Sequence, residues 1–179
     1  MTKTEIIFLL ADNHKKFIGQ FEPMDERQFF ISINNKWNSG QQLDHIIRSV
    51  QPVVLAFALP LVLLRLFFGK ANRPSRSYEA LVEKYHAKLA KGGMASGRFV
   101  PKGLSFPEKQ TAIKKLQALV RRLNKKIETR TEEELDIYLL PHPLLGKLTL
   151  REMLYFTAYH AEHHRENMIK NLEGSSFAK

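Results

Sequence analysis

The sequence predicts an all-α protein built as a helical bundle, and three observations support this prediction. Four long stretches repeat apolar residues at spacings of three and four, which places them on one face of a helix. Two of these stretches begin with Ser or Thr followed three residues later by Gln or Glu, the pattern of a capping box. No stretch shows the apolar and polar alternation of a half-buried strand between hairpin turns. We therefore expect four long helices around one core, in a single domain spanning residues 1–179.

Residues that end or begin a helix predict where the first two long helices lie. The first is expected at about Thr4–Gln20, because Pro23 ends it. The second is expected to begin at Ser39, with Gln42 completing its capping box. Its main apolar stripe is Leu43, Ile47, Val50, Val54 and Phe57. His45 falls on the opposite flank among small residues, so periodicity permits a buried His45 but does not require it.

The most apolar stretch of the chain is Val53–Phe68. We expect Pro52 and Pro60 to kink or break the helix here. The stretch also contains Arg65 and is shorter than the ~20 residues that a membrane-spanning helix needs, so no membrane association is predicted. It is interpreted as a buried helix end, or as apolar surface that forms a homodimer interface.

The remaining helices follow a long connection. A short amphipathic helix is predicted at Tyr78–Leu89, followed by a glycine-rich loop at residues 91–97. The third long helix is predicted to open with Pro107 at its first position. The fourth is Leu148–Met168, with Thr149 as N-cap and Glu152 as its capping-box partner.

The fourth helix carries an unusual face. Its inward stripe is Met153, Phe156, His160, His164 and Met168. Two imidazoles one turn apart on such a face are well placed to hold one metal ion; the alternative is two core histidines satisfied by hydrogen bonds. His163 is a rival ligand, but it lies off this stripe and is expected to flank the site or face solvent. The sequence identifies no partner for His14, His86 or His142.

Composition restricts the classes of function. The formal net charge is +10, from 28 Lys and Arg against 18 Asp and Glu, but these charges are spread over helical faces without a nucleic-acid motif. We therefore expect no nucleic-acid partner. There are no cysteines, which excludes thiolate ligands and leaves His and carboxylates to bind a metal. A cysteine-free chain whose start has no signal-peptide pattern is expected in the cytoplasm.

Three motifs, taken in order, resemble the DinB-like (DinB/YfiT-type) family. They are the segments WNSGQQLDH at Trp37–His45, PHPLLGKLT at Pro141–Thr149 and HAEHH at His160–His164, and the resemblance extends over roughly residues 4–172. It implies an antiparallel four-helix bundle with a long crossover connection. It also implies a metal site whose ligands are His45, His160 and His164.

The resemblance also implies a chemistry. Three imidazoles suit Zn²⁺ or Ni²⁺ and leave a position for water or a thiol. Because family members include transferases and isomerases that use bacillithiol, mycothiol or glutathione, we expect a small-molecule substrate and a thiol-dependent S-transferase. The alternatives are a hydrolase that uses metal-bound water, and a non-catalytic bundle with structural histidines. Asp44, Glu162 and Glu166 are the nearby carboxylates predicted to orient the ligands.

Overall fold

A computed structural model describes the backbone of residues 1–176 and the side chains of residues 1–174, so residues 177–179 of the predicted domain lie outside it. The helices are α1 (Lys3–Gly19), α2 (Glu26–Phe30), α3 (Ser39–Ala58), α4 (Leu61–Phe68), α5 (Tyr78–Ala90), α6 (Lys109–Glu128), α7 (Glu132–Ile137) and α8 (Leu150–Ser176). The strands are β1 (Leu139–His142) and β2 (Gly146–Thr149), and a 3₁₀ turn covers Gly97–Phe99. The predicted all-α fold is confirmed.

The four long helices α1, α3, α6 and α8 form the bundle. Both α1 and α3 pack against α6 and against α8, so α1 and α3 occupy opposite corners. The helix α1 runs antiparallel to α6, because Lys3 Nζ donates to Glu128 O at 3.0 Å while Lys109 Nζ donates to Phe21 O at 3.2 Å. The pair α3 and α8 is also antiparallel, and it holds the candidate site described below.

The other two neighbouring pairs run parallel. At the starts of α1 and α8, Arg151 Nη1 donates to Met1 O at 2.9 Å, and further along, Asn13 Nδ2 donates to Ala158 O at 3.0 Å. The helices α3 and α6 are parallel, because the long crossover implied by the family resemblance, which the structure places at residues 59–108, returns the chain to the end where α3 began. The crossover therefore decides which helices face each other.

Two helix starts differ from their prediction. The capping box of α3 is Asn38 with Gln41, whose side-chain oxygens accept from each other's backbone N–H at 2.9 and 3.0 Å, so the predicted pair of Ser39 and Gln42 is wrong. The helix α6 begins at Lys109 and not at Pro107, because the preceding residues form a separate hydrogen-bonded turn. In contrast, the predicted capping box of Thr149 and Glu152 at the start of α8 is confirmed.

A short hairpin, which the sequence did not predict, leads into α8. Strands β1 and β2 pair antiparallel, with Leu139 opposite Thr149 and His142 opposite Gly146. Gly146 has φ +78°, a left-handed conformation that glycine adopts without a Cβ clash. The expectation of no strands is therefore wrong for these eight residues, because their pairing depends on the turn and not on an alternating pattern.

The apolar stretch Val53–Phe68 divides at Pro60. Pro52 lies within α3, whereas the chain bends by 115° between α3 and α4. Leu64 is buried, but four large apolar side chains of the stretch are exposed: Leu55, Val62, Leu66 and Phe67. The interpretation as a buried helix end is thus wrong for those four residues, and the homodimer interface stays a prediction. Within residues 1–176 no single helix could cross a membrane, although α3 and α4 together reach the length and apolar composition despite their bend.

A buried carboxylate ties the crossover to the start of α8. Glu152 is fully buried and accepts from Arg73 Nη1 and Nη2 at 2.6 and 2.8 Å. It also accepts from Arg76 N and Nη1 at 2.8 and 3.0 Å, and from Thr149 N at 3.1 Å. Burial raises the pKa of Glu152, but these hydrogen bonds outweigh burial, so the net pKa is lowered.

Glu152→Gln is expected to destabilise the fold because it leaves two guanidinium groups without their anion. Both arginine side chains are about one-third exposed, so we expect the lower end of the range for a broken buried ion pair, about 3 kcal/mol, or a melting temperature lowered by roughly 6–12 °C. Because the folded-state pKa is lowered, this stability is present above about pH 4.5 and is lost as the pH falls. Thermal unfolding of the variant and of the exposed control Glu166→Gln at neutral and acidic pH measures this. If Glu152→Gln and Glu166→Gln melted at the same temperature at neutral pH, this would contradict the stabilising role of Glu152.

Candidate metal centre

The antiparallel pair α3 and α8 brings three imidazoles to one point. His45 on α3 lies opposite His160 on α8, with their Nε2 atoms 3.2 Å apart, and His164 Nε2 lies 3.0 Å from His160 Nε2. All three side chains are buried, and their facing nitrogens lie within 4.8 Å of one another. The structure therefore places every predicted ligand in the site, including His45. Their role as metal ligands stays a prediction.

Two hydrogen bonds fix the orientation of these rings. His45 Nδ1 lies 2.7 Å from Phe99 O, and His164 Nδ1 lies 2.5 Å from Gln42 Oε1. The Gln42 amide is oriented by its own Nε2, which donates to Trp37 O at 3.2 Å. Since carbonyl and amide oxygens only accept, Nδ1 carries the proton in both imidazoles. In a neutral ring this leaves Nε2 with a lone pair that points at His160.

The environment keeps the three imidazoles neutral. Burial lowers the pKa of His45, and its bond to the Phe99 carbonyl offsets this only in part. Burial lowers the pKa of His160 and His164 well below the usual value, and the neighbouring imidazoles lower it further. A neutral imidazole is the form that binds a metal ion.

Without a cation, the nitrogen lone pairs of neighbouring imidazoles lie close together. His160 Nε2 faces the lone pairs of both His45 and His164, and a single proton on that nitrogen could be donated to only one of them. Three nitrogen ligands of a tetrahedral zinc ion, each at about 2.0–2.1 Å, lie about 3.3 Å apart, and the observed separations of 3.0 and 3.2 Å are close to this. The donor set therefore fits a divalent ion.

The carboxylates predicted to orient the ligands do not do so. Asp44 Oδ2 accepts from Arg48 Nε at 2.9 Å and from Lys102 N at 2.8 Å, and among the described residues it makes no hydrogen bond to an imidazole. Glu162 pairs with Arg165, and Glu166 lies 3.8 Å from Lys170. Residues adjacent in sequence to a helical histidine point in other directions, so the orienting oxygens come instead from an amide and a backbone carbonyl.

The other histidines have separate partners. His163, the rival ligand, is half-buried, and its Nε2 lies 3.1 Å from Asn167 Nδ2. His14 is buried and donates from Nδ1 to Leu10 O at 2.8 Å, while the Nε2 of His86 lies 2.6 Å from the Tyr159 hydroxyl. Within the described residues, none of these three joins the group that could hold a metal ion.

A cavity of about 530 Å³ opens beside the imidazoles. His45 and His160 are in its wall, whereas His164 is not. Most of the wall is apolar, and its side chains come from α3 and its C-cap, α5, β1 and α8: Ile46, Val50, Val53, Leu59, Leu89, Leu140, Met153 and Phe156. The flank of α3 that carries His45 and the small residues Ser49, Pro52 and Ala56 also lines this cavity. The site thus combines a cluster of nitrogen donors with an apolar binding space.

Comparison with known proteins identifies the family. A sequence model of the DinB superfamily matches residues 9–168. The chain belongs to the DinB superfamily. The structure of YfiT from Bacillus subtilis, described as a probable metal-dependent hydrolase with an unusual four-helix bundle topology, matches with a TM-score of 0.65 and 20% identity. The match covers 97% of this DinB chain and 87% of YfiT, and at this identity it shows the fold. No protein with a curated description matches.

Sequence reasoning missed the groups that surround the DinB histidines. The capping-box pattern predicts a helix cap for Gln42, although its spacing of three from His45 places both on one face of α3. Phe99 lies far along the crossover, and no sequence signal indicates that its backbone carbonyl would reach α3. The sequence identifies no partner for His142, which lines the cavity.

The proton positions in the metal-free protein can be measured. Long-range ¹H–¹⁵N correlation spectra should show His45 and His164 neutral and protonated at Nδ1, without change from about pH 8 to about pH 7, because burial lowers both pKa values. Gln42→Leu removes the acceptor of His164 alone, so only His164 should lose its fixed tautomer. A proton on Nε2 of His45 or His164 in the unsubstituted protein would contradict the assigned geometry.

Proposed function

We propose that this DinB protein is a divalent-metal-dependent hydrolase of small, mainly apolar substrates. The observation that carries the proposal is the convergence of three neutral imidazoles through Nε2, two of which lie in the wall of an apolar cavity. A hydrolase is favoured because YfiT, which shares the fold, is described as a probable metal-dependent hydrolase. The proposed ligands are His45, His160 and His164, and imidazole nitrogens suit both Zn²⁺ and Ni²⁺.

Three protein ligands are typical of a catalytic site, whereas structural zinc sites normally use four. Within the described residues only these three could hold one ion together at this point. A divalent ion held there would supply Lewis-acid chemistry, polarising a substrate carbonyl and lowering the pKa of water.

Residues of the chain orient the imidazoles and keep water away from the candidate metal centre. The Nδ1 bonds to Phe99 O and Gln42 Oε1 hold the ligand nitrogens of His45 and His164 towards the centre. The indole of Trp37 lies parallel to the His164 ring, with centroids 6.1 Å apart, and Phe156 stacks on His160 at 4.7 Å. These rings restrict the movement of the imidazoles, and the apolar wall favours substrates with alkyl or aryl groups.

Metal binding is expected to depend on His160 and not on His163. His160→Ala removes the central nitrogen, so zinc affinity should fall by at least about 100-fold, whereas His163→Ala should leave it unchanged. Elemental analysis and zinc titration of the two variants and the unsubstituted protein make the comparison. Equal zinc affinity in all three proteins would contradict the proposed ligand set.

Turnover distinguishes hydrolysis from thiol transfer. Zinc- or nickel-loaded protein should hydrolyse esters or amides with apolar acyl or aryl groups above the background rate, and His160→Ala should abolish this activity. No contact in the described part of the chain favours a thiol over water, so the thiol-dependent transfer implied by the family resemblance stays a prediction. The opposite result is an electrophilic substrate that is consumed only when bacillithiol, mycothiol or glutathione is present, with no ester or amide hydrolysed. It would overturn the hydrolase proposal in favour of the transferase.

A further inference from the structure

His142 has a fixed tautomer opposite to that of His45 and His164. It ends β1, and its Nδ1 lies 3.1 Å from Leu144 N and 3.0 Å from Leu145 N. Backbone N–H groups only donate, so Nδ1 must be the acceptor and cannot carry a proton. The proton of the neutral ring is therefore on Nε2. The turn between β1 and β2 thus fixes the His142 ring with its hydrogen-bond donor at Nε2.

The side chain that carries this donor belongs to a residue of the cavity wall, and it lies close to the candidate metal centre. The His142 ring contacts Phe156 edge-on at 4.2 Å between centroids, and Phe156 in turn stacks on His160 at 4.7 Å. Within residues 1–174 the hydrogen bonds of His142 involve Nδ1 alone, which leaves Nε2 without a protein acceptor. Burial, with a smaller contribution from the charge of Lys84, lowers the pKa of His142 to about 4, which keeps the ring neutral at pH 7.

The other polar groups of the cavity are less suited to this role. The hydroxyls of Ser49 and Thr157 donate to carbonyls within their own helices, at 2.9 and 2.7 Å. Tyr85 also lines the cavity, but its hydroxyl proton can rotate, and Arg98 is an exposed cation. His142 therefore offers a neutral donor that is held in place before a ligand binds, which is the arrangement that loses least entropy on binding.

We propose that His142 Nε2–H binds a neutral acceptor oxygen, such as a carbonyl, of a ligand whose apolar body fills the cavity. The identity of that ligand as the substrate rests on the proposed hydrolase function. A neutral oxygen is favoured over a carboxylate because the residues that line the cavity are mainly apolar, and one neutral N–H donor does not replace the hydration that an anion would lose there.

A purely structural role in the turn is the alternative, and His142→Asn separates the two. An asparagine side-chain oxygen can accept from backbone N–H groups two residues further on, so it can cap the same turn. It cannot supply a donor at the position of Nε2. The variant therefore removes the proposed contact with the ligand while keeping an acceptor for the turn.

The test compares 4-phenylbutan-2-one with butylbenzene, two ligands of similar shape of which only the ketone has an acceptor oxygen. Binding is measured by NMR titration of the full-length protein with and without Zn²⁺. The ketone should bind about five-fold more weakly to His142→Asn, the value of one neutral hydrogen bond, whereas butylbenzene affinity and the melting temperature should not change. In the unsubstituted protein, the His142 Nε2–H resonance should shift on adding the ketone and not on adding butylbenzene.

Three results would overturn the inference: an equal loss of affinity for both ligands, no loss for either, or a ketone that leaves the Nε2–H resonance unmoved. The last measurement needs no variant, so it stands even if His142→Asn does not fold. Because the effect is expected without added metal, a protein that discriminates the ketone but shows no hydrolysis would contradict the proposed function and not the role of His142.

Discussion

The hydrogen bonds that His45 and His164 donate from Nδ1 determine where the lone pairs of the candidate metal centre point. One acceptor, Gln42, lies on α3 itself, and the other is the carbonyl of Phe99 in the long crossover. The site is therefore not a property of one helix pair. It forms only when residues 97–99 of the crossover lie against α3, which links formation of the site to completion of the fold.

The order of the helices in the bundle also makes the site depend on the long crossover. Because the crossover returns the chain to the end where α3 began, α6 runs parallel to α3 and leaves α8 to run antiparallel to it. The antiparallel pairing sets Gln42 against His164 and His45 against His160. The buried ion pairs of Glu152 hold the start of α8 to the same crossover. One connection thus positions both sides of the site.

The features that the sequence could predict are those that depend on local spacing along one helix. His160 and His164 share one turn of one helix, so their common face follows from helical geometry, and the capping box of Thr149 and Glu152 marks where that helix starts. The depth of His45 depends on which flank of α3 meets α8, and that is tertiary information. The role of Phe99 and the short hairpin depend on contacts distant in sequence or on pairing of a few residues, which periodicity does not record.

The most direct test of the account is the position of the metal ion itself. A crystal grown with Zn²⁺ and measured on both sides of the zinc absorption edge would locate the ion by anomalous scattering. We expect one strong peak within about 2.0–2.2 Å of the Nε2 atoms of His45, His160 and His164, with Nδ1 of His45 still bonded to Phe99 O. A peak elsewhere, no peak at the three imidazoles, or His45 turned towards solvent would contradict it.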